Sequence, residues 1–158
     1  QAVQVGGPSG AIIASNEFNR ILGYEDLATG GSLIIIGKGR DILTTFVLNF
    51  TEFFIDESCG SCSTCRIVPT LLRNKLVKIL NARGVKQDIE DMVEWGKILK
   101  ASRCGLGQTA ANPILSSLRN FRYLYEEKIQ KNKIFDSGCD LSAAVKESCR
   151  VTGRVPNI

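Results

Sequence analysis

The sequence predicts an α+β fold in which a small strand-containing segment precedes a helical bundle. The first 57 residues are rich in glycine and β-branched residues and contain two short runs of strand type. From residue 41 to residue 130, apolar residues instead recur at intervals of three and four, as they do in amphipathic helices. We therefore divide the 158-residue chain into a segment 1–57, a helical region 58–130 and a tail 131–158.

Two strands are predicted in the first segment. Residues 2–5 have the alternation of a strand and end at the turn-forming run Gly-Gly-Pro-Ser-Gly at 6–10. Residues 32–36 are an apolar run between glycines, which predicts a buried strand. We interpret 6–10 as a β-turn and not as a phosphate-binding loop, because one glycine-rich turn without a nucleotide-binding fingerprint is a weak signal.

Each predicted helix combines a start signal with an apolar stripe. The start signals are Asp41, Pro69, Asp88, the pair Asn112 and Pro113, and, for a short helix that ends at Cys149, Asp140. The residues expected to face the core are Phe46, Val47, Phe50, Phe53 and Phe54; Leu72, Leu76, Ile79 and Leu80; Ile89, Met92, Val93, Gly96 and Leu99; and Ile114, Leu118, Phe121 and Tyr125.

The composition excludes several kinds of site. The chain has no histidine, which rules out Ser-His-Asp and Cys-His catalysis, histidine-rich zinc sites and haem bound by a proximal histidine. The first 57 residues carry 3 basic and 7 acidic side chains, and the remainder carries 17 basic and 9 acidic ones. Because the basic residues lie at helical spacings beside acids, we interpret them as a solvated helical surface and expect no nucleic-acid partner.

The sequence also indicates where the protein acts. No run approaches the roughly 18 apolar residues needed to span a bilayer, and nothing at the start resembles a signal peptide. We therefore expect a cytoplasmic protein without direct membrane insertion. The chain begins with Gln1 and its single methionine is Met92, so we expect it to be processed or to be a piece of a longer protein.

Four of the six cysteines form a candidate metal site. Cys59, Cys62 and Cys65 form a C-x2-C-x2-C motif, and Cys104 follows 39 positions later. This spacing allows one turn of backbone to direct three sulfurs toward one point, as a cuboidal iron–sulfur cluster requires, while a distant residue supplies the fourth thiolate. Nearby glycines permit close approach of backbone N–H groups, and adjacent arginines can offset the negative charge of the cluster; they are Gly60, Gly105, Gly107, Arg66 and Arg103.

Three other interpretations of these cysteines remain open. A structural zinc site with four cysteine ligands is the main alternative, although zinc ribbons usually present two separate C-x2-C pairs. Disulfides would need an oxidising compartment, and a C-x2-C redox pair would normally follow a strand of a βαβ unit. Cys139 and Cys149 have no companion ligands, so we expect them to be ordinary small buried residues and not a second site.

Three motifs occur in the order known from one protein family. Residues 57–66 read Glu-Ser-Cys-Gly-Ser-Cys-Ser-Thr-Cys-Arg, residues 5–10 read Val-Gly-Gly-Pro-Ser-Gly, and Cys104-Gly-Leu-Gly is followed by Ala110 and Pro113. They resemble the ESCGxCxxCR, VGGPSG and CxLGxxAxxP motifs of the flavin-bearing NADH dehydrogenase subunit of the 51 kDa type. That family covers respiratory complex I, soluble NAD-reducing hydrogenases and NAD-dependent formate dehydrogenases, and the match covers about residues 3–125.

The resemblance implies a fold and a cofactor. It implies that residues 1–57 are a β-grasp domain of the SLBB (ubiquitin-like) type and that 58–130 is a four-helix domain holding a [4Fe–4S] cluster on the four cysteines above. In the family, FMN and NAD(H) bind to an earlier domain with a GRGGAGFP segment, which this sequence does not contain. We therefore expect these two cofactors in a missing N-terminal domain of the same subunit, and we place no catalytic residue on this chain.

The resemblance also implies a function. Ile67 and Val68 follow Arg66 where complex I members tend to have Glu-Gly, and residues 26–31, 102–109 and 151–154 look closer to the diaphorase subunit of NAD-reducing hydrogenases. We expect the electron-transfer part of an NAD(H)-linked oxidoreductase, which passes electrons between FMN and an iron–sulfur chain. A complex I or formate dehydrogenase subunit is the alternative, and a zinc-stabilised interaction module is the alternative of another class. The implied partners are a small [2Fe–2S] subunit and a ferredoxin-like iron–sulfur subunit.

Overall fold

The computed structural model describes residues 1–130, 149–151 and 153 and confirms the α+β prediction. The strands are β1 (Ala2–Val5), β2 (Ala11–Ala14) and β3 (Leu33–Ile36). The α-helices are α1 (Asn49–Asp56), α2 (Ser63–Leu80), α3 (Lys86–Ile98), α4 (Gly105–Thr109) and α5 (Asn112–Gln130), with 3₁₀ turns at Ser15–Glu17 and Leu99–Ala101 and a π-helical segment at Leu43–Leu48 that continues into α1. Among the described residues, no helix combines the length and apolar character that crossing a bilayer requires.

The three strands form one antiparallel sheet in the order β2-β1-β3. Strand β1 was predicted, whereas β2 was not, because its four residues gain their strand conformation by pairing with β1 across the preceding turn. The strand predicted at 32–36 is confirmed as β3, but the prediction that it is buried is wrong, since Leu33 is 51% and Ile35 81% exposed. Leu33 and Ile35 share one face of β3, whereas Ile36 lies on the opposite face and packs with the helices.

Backbone geometry explains the glycines of the turn at 6–10. Gly6 and Gly7 have φ angles of +85° and +64°, which side chains other than glycine rarely adopt. A Cβ atom on Gly10 would lie 1.7 Å from the carbonyl oxygen of Val5. The turn is thus a close backbone packing arrangement, and the Asn112 side chain donates a 2.6 Å hydrogen bond to the Ser9 carbonyl and ties it to α5.

The start signals of the helices are partly correct. Asp41 caps the first helical segment as predicted, because its Oδ1 accepts the backbone N–H groups of Leu43 at 3.0 Å and Thr44 at 3.1 Å. The predicted start of α2 at Pro69 is wrong, since the helix begins at Ser63 and contains Pro69 in its interior. Proline has no N–H to donate four residues back, so this helix tolerates one missing backbone hydrogen bond.

Two further helices begin one or more residues before the predicted position. Helix α3 begins at Lys86, and Asp88 is its third residue. The Asp88 carboxylate accepts a 2.8 Å hydrogen bond from the Val85 N–H. Helix α5 includes Asn112 as its first residue, so this side chain is free to reach the turn at 6–10. The predicted helix from residue 140 lies outside the described residues, apart from the helical Cys149 at its end.

One apolar cluster joins the sheet to the helices. Ala2, Ile12 and Ile36 of the sheet share this cluster with residues of the helices. Its helical members that were predicted to face the core are Val47, Phe54, Leu72, Leu76, Ile79, Ile89, Met92, Leu99, Ile114, Leu118, Phe121 and Tyr125. Phe53 departs from the prediction with 42% exposure. Helix α2 contacts α1, α3 and α5, so its first turn is supported from several sides.

A buried carboxylate fixes helix α2 against α3. Asp88 is 1% exposed, and its two oxygens accept hydrogen bonds from Lys75 at 2.6 Å and Lys78 at 2.7 Å. Burial opposes ionisation of this carboxyl, but the hydrogen bonds from the two lysines and from the Val85 N–H outweigh it and lower the pKa of Asp88 below its usual value. The carboxylate therefore remains charged at neutral pH.

Candidate metal centre

The C-x2-C-x2-C motif lies between helices α1 and α2 and extends into the first turn of α2. Cys62 is the N-cap residue of α2 and Cys65 is its third residue. Cys65 is buried, Cys62 is half-buried and Cys59 is exposed. The loop turns at Gly60, which has a φ of +70°, and the Arg66 guanidinium donates a 3.1 Å hydrogen bond to the Gly60 carbonyl. The motif is thus folded back onto the start of a helix.

The segment that carries Cys104 packs against this first turn of α2. The hydroxyl oxygens of Thr64 and Ser102 lie 3.1 Å apart and join the two segments across 38 residues. A Cβ atom on Gly107 would lie 3.2 Å from the Cβ of Cys65 and 2.6 Å from the Cβ of Ser102. Cys104 itself is the exposed N-cap residue of α4. The chain therefore brings the segment of the fourth cysteine next to that of the other three.

The sulfur of Cys62 lies in a surrounding that favours the thiolate. Backbone N–H groups of Arg103 and Cys65 and the hydroxyls of Thr64 and Ser102 donate toward it and outweigh its desolvation, which lowers the pKa of Cys62 to about 7. The N-terminal end of α2 adds a partial positive charge at the same place. A thiolate is the form in which cysteine binds metals.

The glycines and arginines singled out in the sequence have different roles. Gly107 is required by packing and Gly60 by its φ angle, whereas a Cβ atom on Gly105 would meet nothing within 4 Å. Arg103 reaches Cys62 through its backbone N–H. Arg66 binds the loop that carries Cys59 and Cys62, so its charge lies at the predicted site.

Sequence reasoning missed the hydroxyl groups that surround the cysteines. The Ser58 hydroxyl lies 3.3 Å from the Cys65 sulfur, and Thr64 and Ser102 approach the Cys62 sulfur. Each of these three residues lies within two positions of one of the four cysteines, which is a signal that the sequence does contain.

The four cysteines form a donor set that consists of thiols alone. In the described part of the chain, no group of three or more Cys, Asp and Glu side chains is arranged to hold a single metal ion. A tetrahedral zinc ion needs four sulfurs at about 2.3 Å from one point. An iron–sulfur core is larger, and its thiolates bind separate irons. A thiol-only donor set with N–H and hydroxyl groups around it fits such a core. The described cysteines are free of disulfides.

Comparison with known proteins agrees with this chemistry. The family model described as "NADH-ubiquinone oxidoreductase-F iron-sulfur binding region" matches residues 45–128, which is more than half of the 158 residues. The chain is 37% identical over 135 residues to the NAD-reducing hydrogenase HoxS subunit alpha of Cupriavidus necator, which covers 84% of this chain and 22% of that protein. It is 33% identical over 127 residues to a subunit of the NADH-quinone oxidoreductase of Mycobacterium tuberculosis, which covers 76% of this chain and 28% of that protein.

A solved structure shows the same fold. The crystal structure of an NAD⁺-reducing [NiFe]-hydrogenase in the H₂-reduced state matches with a TM-score of 0.77 and 31% identity, over 99% of this chain and 28% of that one. The chain thus spans about a quarter of the length of the relatives it matches. Family model, relatives and fold agree, and the chain belongs to the family of [4Fe–4S]-binding NADH-ubiquinone oxidoreductase-F regions.

Proposed function

We propose that this chain is the electron-transfer module of an NAD(H)-linked oxidoreductase and that Cys59, Cys62, Cys65 and Cys104 are the ligands of its [4Fe–4S] cluster. The packing of the Cys104 segment on the first turn of α2 is the observation that carries this proposal. This packing brings the segment of Cys104, 39 positions after Cys65, next to the first turn of α2 and so supports the proposal. The proposal includes the four-helix arrangement around the cluster, the β-grasp character of residues 1–57 and the domain boundaries at 57 and 130.

The residues of the chain bind the cluster and adjust its charge. When bound, a [4Fe–4S] cluster accepts and releases one electron at a time. The N–H groups of Arg103 and Cys65 hold negative charge on the Cys62 sulfur. The exposed positions of Cys59 and Cys104 leave this end of the module open to a neighbouring redox group.

The remainder of the oxidoreductase is inferred from the relatives. We propose that FMN and NAD(H) bind to another part of the same subunit and that the cluster passes electrons between the flavin and an iron–sulfur chain that includes a [2Fe–2S] subunit and a ferredoxin-like subunit. The similarity to the hydrogenase HoxS subunit alpha favours the diaphorase of an NAD-reducing hydrogenase. Thiolate ligands must stay reduced, as they do in the cytoplasm, so we place the module there.

A complex I type of subunit is the second candidate, favoured by the 33% identity to the Mycobacterium tuberculosis protein. Co-purification distinguishes the two. A nickel-containing subunit that purifies with the native protein supports the hydrogenase diaphorase. Purification with quinone-reducing subunits supports the complex I type.

Anaerobic purification of the native protein tests the cluster. We expect at least four irons and four sulfides per copy of this chain and an EPR signal on reduction. Cys104→Ser should lose most of this iron, whereas Cys149→Ser, which changes a cysteine outside the proposed set, should retain it. A colourless wild-type protein with one zinc per chain would show that the module is structural.

A further inference from the structure

Hydroxyl groups of other residues lie close to two of the proposed ligand sulfurs. Ser58 Oγ lies 3.3 Å from the sulfur of Cys65, and the same oxygen accepts the Gly60 N–H at 3.3 Å. Because a metal-bound cysteine carries no thiol proton, Ser58 must be the donor in the contact with Cys65. The Gly60 N–H orients the serine oxygen, which leaves the hydroxyl hydrogen for the sulfur.

The second hydroxyl group reaches the centre from the segment before Cys104. Ser102 is 4% exposed, and its oxygen lies 3.1 Å from that of Thr64. Each of these hydroxyls has one hydrogen, so if one hydrogen joins the two oxygens, the other remains for the Cys62 sulfur, which both side chains approach. The pair therefore has one hydrogen available for this sulfur.

The position of Ser102 is set by its neighbours. Its N–H donates to the Leu99 carbonyl at 3.0 Å, and its carbonyl accepts the Gln108 side chain at 3.0 Å. Gly107 leaves room for the serine side chain, since a Cβ there would lie 2.7 Å from the serine oxygen. The hydroxyl is thus held in place before any metal binds.

We propose that Ser58, Thr64 and Ser102 are positioning residues that raise the reduction potential of the metal centre through hydroxyl hydrogen bonds to the sulfurs of Cys65 and Cys62. The inference rests on the proposed function. Reduction adds negative charge to a cluster and its thiolates, and a hydrogen bond to a thiolate sulfur strengthens as that charge grows. Each such bond therefore stabilises the reduced state more than the oxidised state.

The structure also predicts which of the three hydroxyl groups has the largest effect on the reduction potential. The Cys65 sulfur is buried, and Ser58 is the hydrogen-bond partner that the described residues provide for it. The Cys62 sulfur is half-buried and has backbone N–H donors as well. Water and these donors compensate in part for a lost hydroxyl at Cys62, so removal of the Ser58 hydroxyl should have the largest effect.

A redox titration of the full-length protein followed by EPR tests the proposal. We expect Ser58→Ala to lower the equilibrium constant for one-electron reduction by up to about tenfold, which corresponds to about 59 mV for a one-electron couple. Thr64→Val and Ser102→Ala should lower it by less. Ser63→Ala, which changes an exposed serine between Cys62 and Thr64, should leave the potential unchanged.

Conservative variants and iron content separate this effect from damage to the fold. Ser58→Thr and Thr64→Ser retain the hydroxyl and should keep the wild-type potential. If Ser102→Ala loses iron because the packing around this buried residue is disturbed, the potentials of Thr64→Val and Ser58→Ala still test the proposal, since Ser58 is only half-buried. Variants with wild-type iron content and unchanged potential overturn the inference and leave the cluster assignment intact. A wild-type protein without iron and sulfide would instead contradict the proposed function.

Discussion

Replacing Gly107 by alanine should separate the Cys104 segment from the first turn of helix α2. The added Cβ would lie 2.6 Å from the Cβ of Ser102 and 3.2 Å from the Cβ of Cys65, whereas carbon atoms pack at about 3.5–4.0 Å. Overpacking of this kind lowers the free energy of unfolding by about 1–3 kcal/mol. The higher helix propensity of alanine offsets at most about 1 kcal/mol of this loss. With this offset in full, the net loss is up to about 2 kcal/mol, or up to about 8 °C in Tm for a chain of this size.

Thermal unfolding and iron analysis on the same samples measure this effect. Gly107→Ala should melt at a lower temperature and retain less iron after gel filtration, because α4 must move away from α2 and carry Cys104 with it. Gly105→Ala is the matched control in the same helix, since its Cβ meets nothing within 4 Å. If Gly107→Ala keeps the melting temperature and the iron content of Gly105→Ala, the close packing described above is not what holds the fourth cysteine.

Three further substitutions test other parts of the fold. Gly10→Ala should prevent correct formation of the β1–β2 turn, because its Cβ would lie 1.7 Å from a backbone oxygen. Gly37→Ala is the control, since a Cβ atom there would meet nothing within 4 Å. The soluble yield of the two variants and their circular dichroism spectra measure the effect. Asp88→Asn should lower the free energy of unfolding by about 2 kcal/mol. The pKa of Asp88 is below its ordinary value of 3.8, so the difference in unfolding free energy between wild type and variant should stay constant from pH 8 to pH 5. This difference should vanish only as the pH falls through the lowered pKa. A difference in Tm that becomes smaller between pH 7 and pH 5 would contradict the ion-pair geometry. Tyr125→Phe should cost about 1 kcal/mol in denaturant unfolding, since it removes the buried 2.6 Å hydrogen bond to Ser117, and an unchanged midpoint would show that this bond contributes nothing.

The helical stripes were predictable because they depend on local periodicity. Leu72, Leu76 and Ile79 recur at the spacing that places them on one side of a helix, and all three are buried. The helix starts were less predictable. Pro69 is favourable in a first turn, but the apolar contacts of α2 with three other helices stabilise a helix that extends six residues further toward the N-terminus.

The exposure of strand β3 depended on its place in the sheet. Leu33 and Ile35 are as apolar as the buried residues of β1, and composition therefore predicted a buried strand. The two side chains lie on the face of β3 that is opposite to Ile36, and Ile36 is the residue of β3 that packs with the helices in the described structure. Which face of a strand is covered depends on contacts between distant residues, which local sequence patterns do not contain.

The amino-acid sequence by itself determined the chemistry of the centre. A chain without histidine holds a metal through sulfur or oxygen, and three thiols in seven residues favour a metal group held by sulfur. Only the tertiary structure decided which neighbours surround these thiols. The contact between Thr64 and Ser102 joins positions 38 residues apart, and the room at Gly107 exists because α4 lies on α2. Ligand type follows from side-chain composition, whereas hydrogen bonds to the sulfurs follow from how the helices pack.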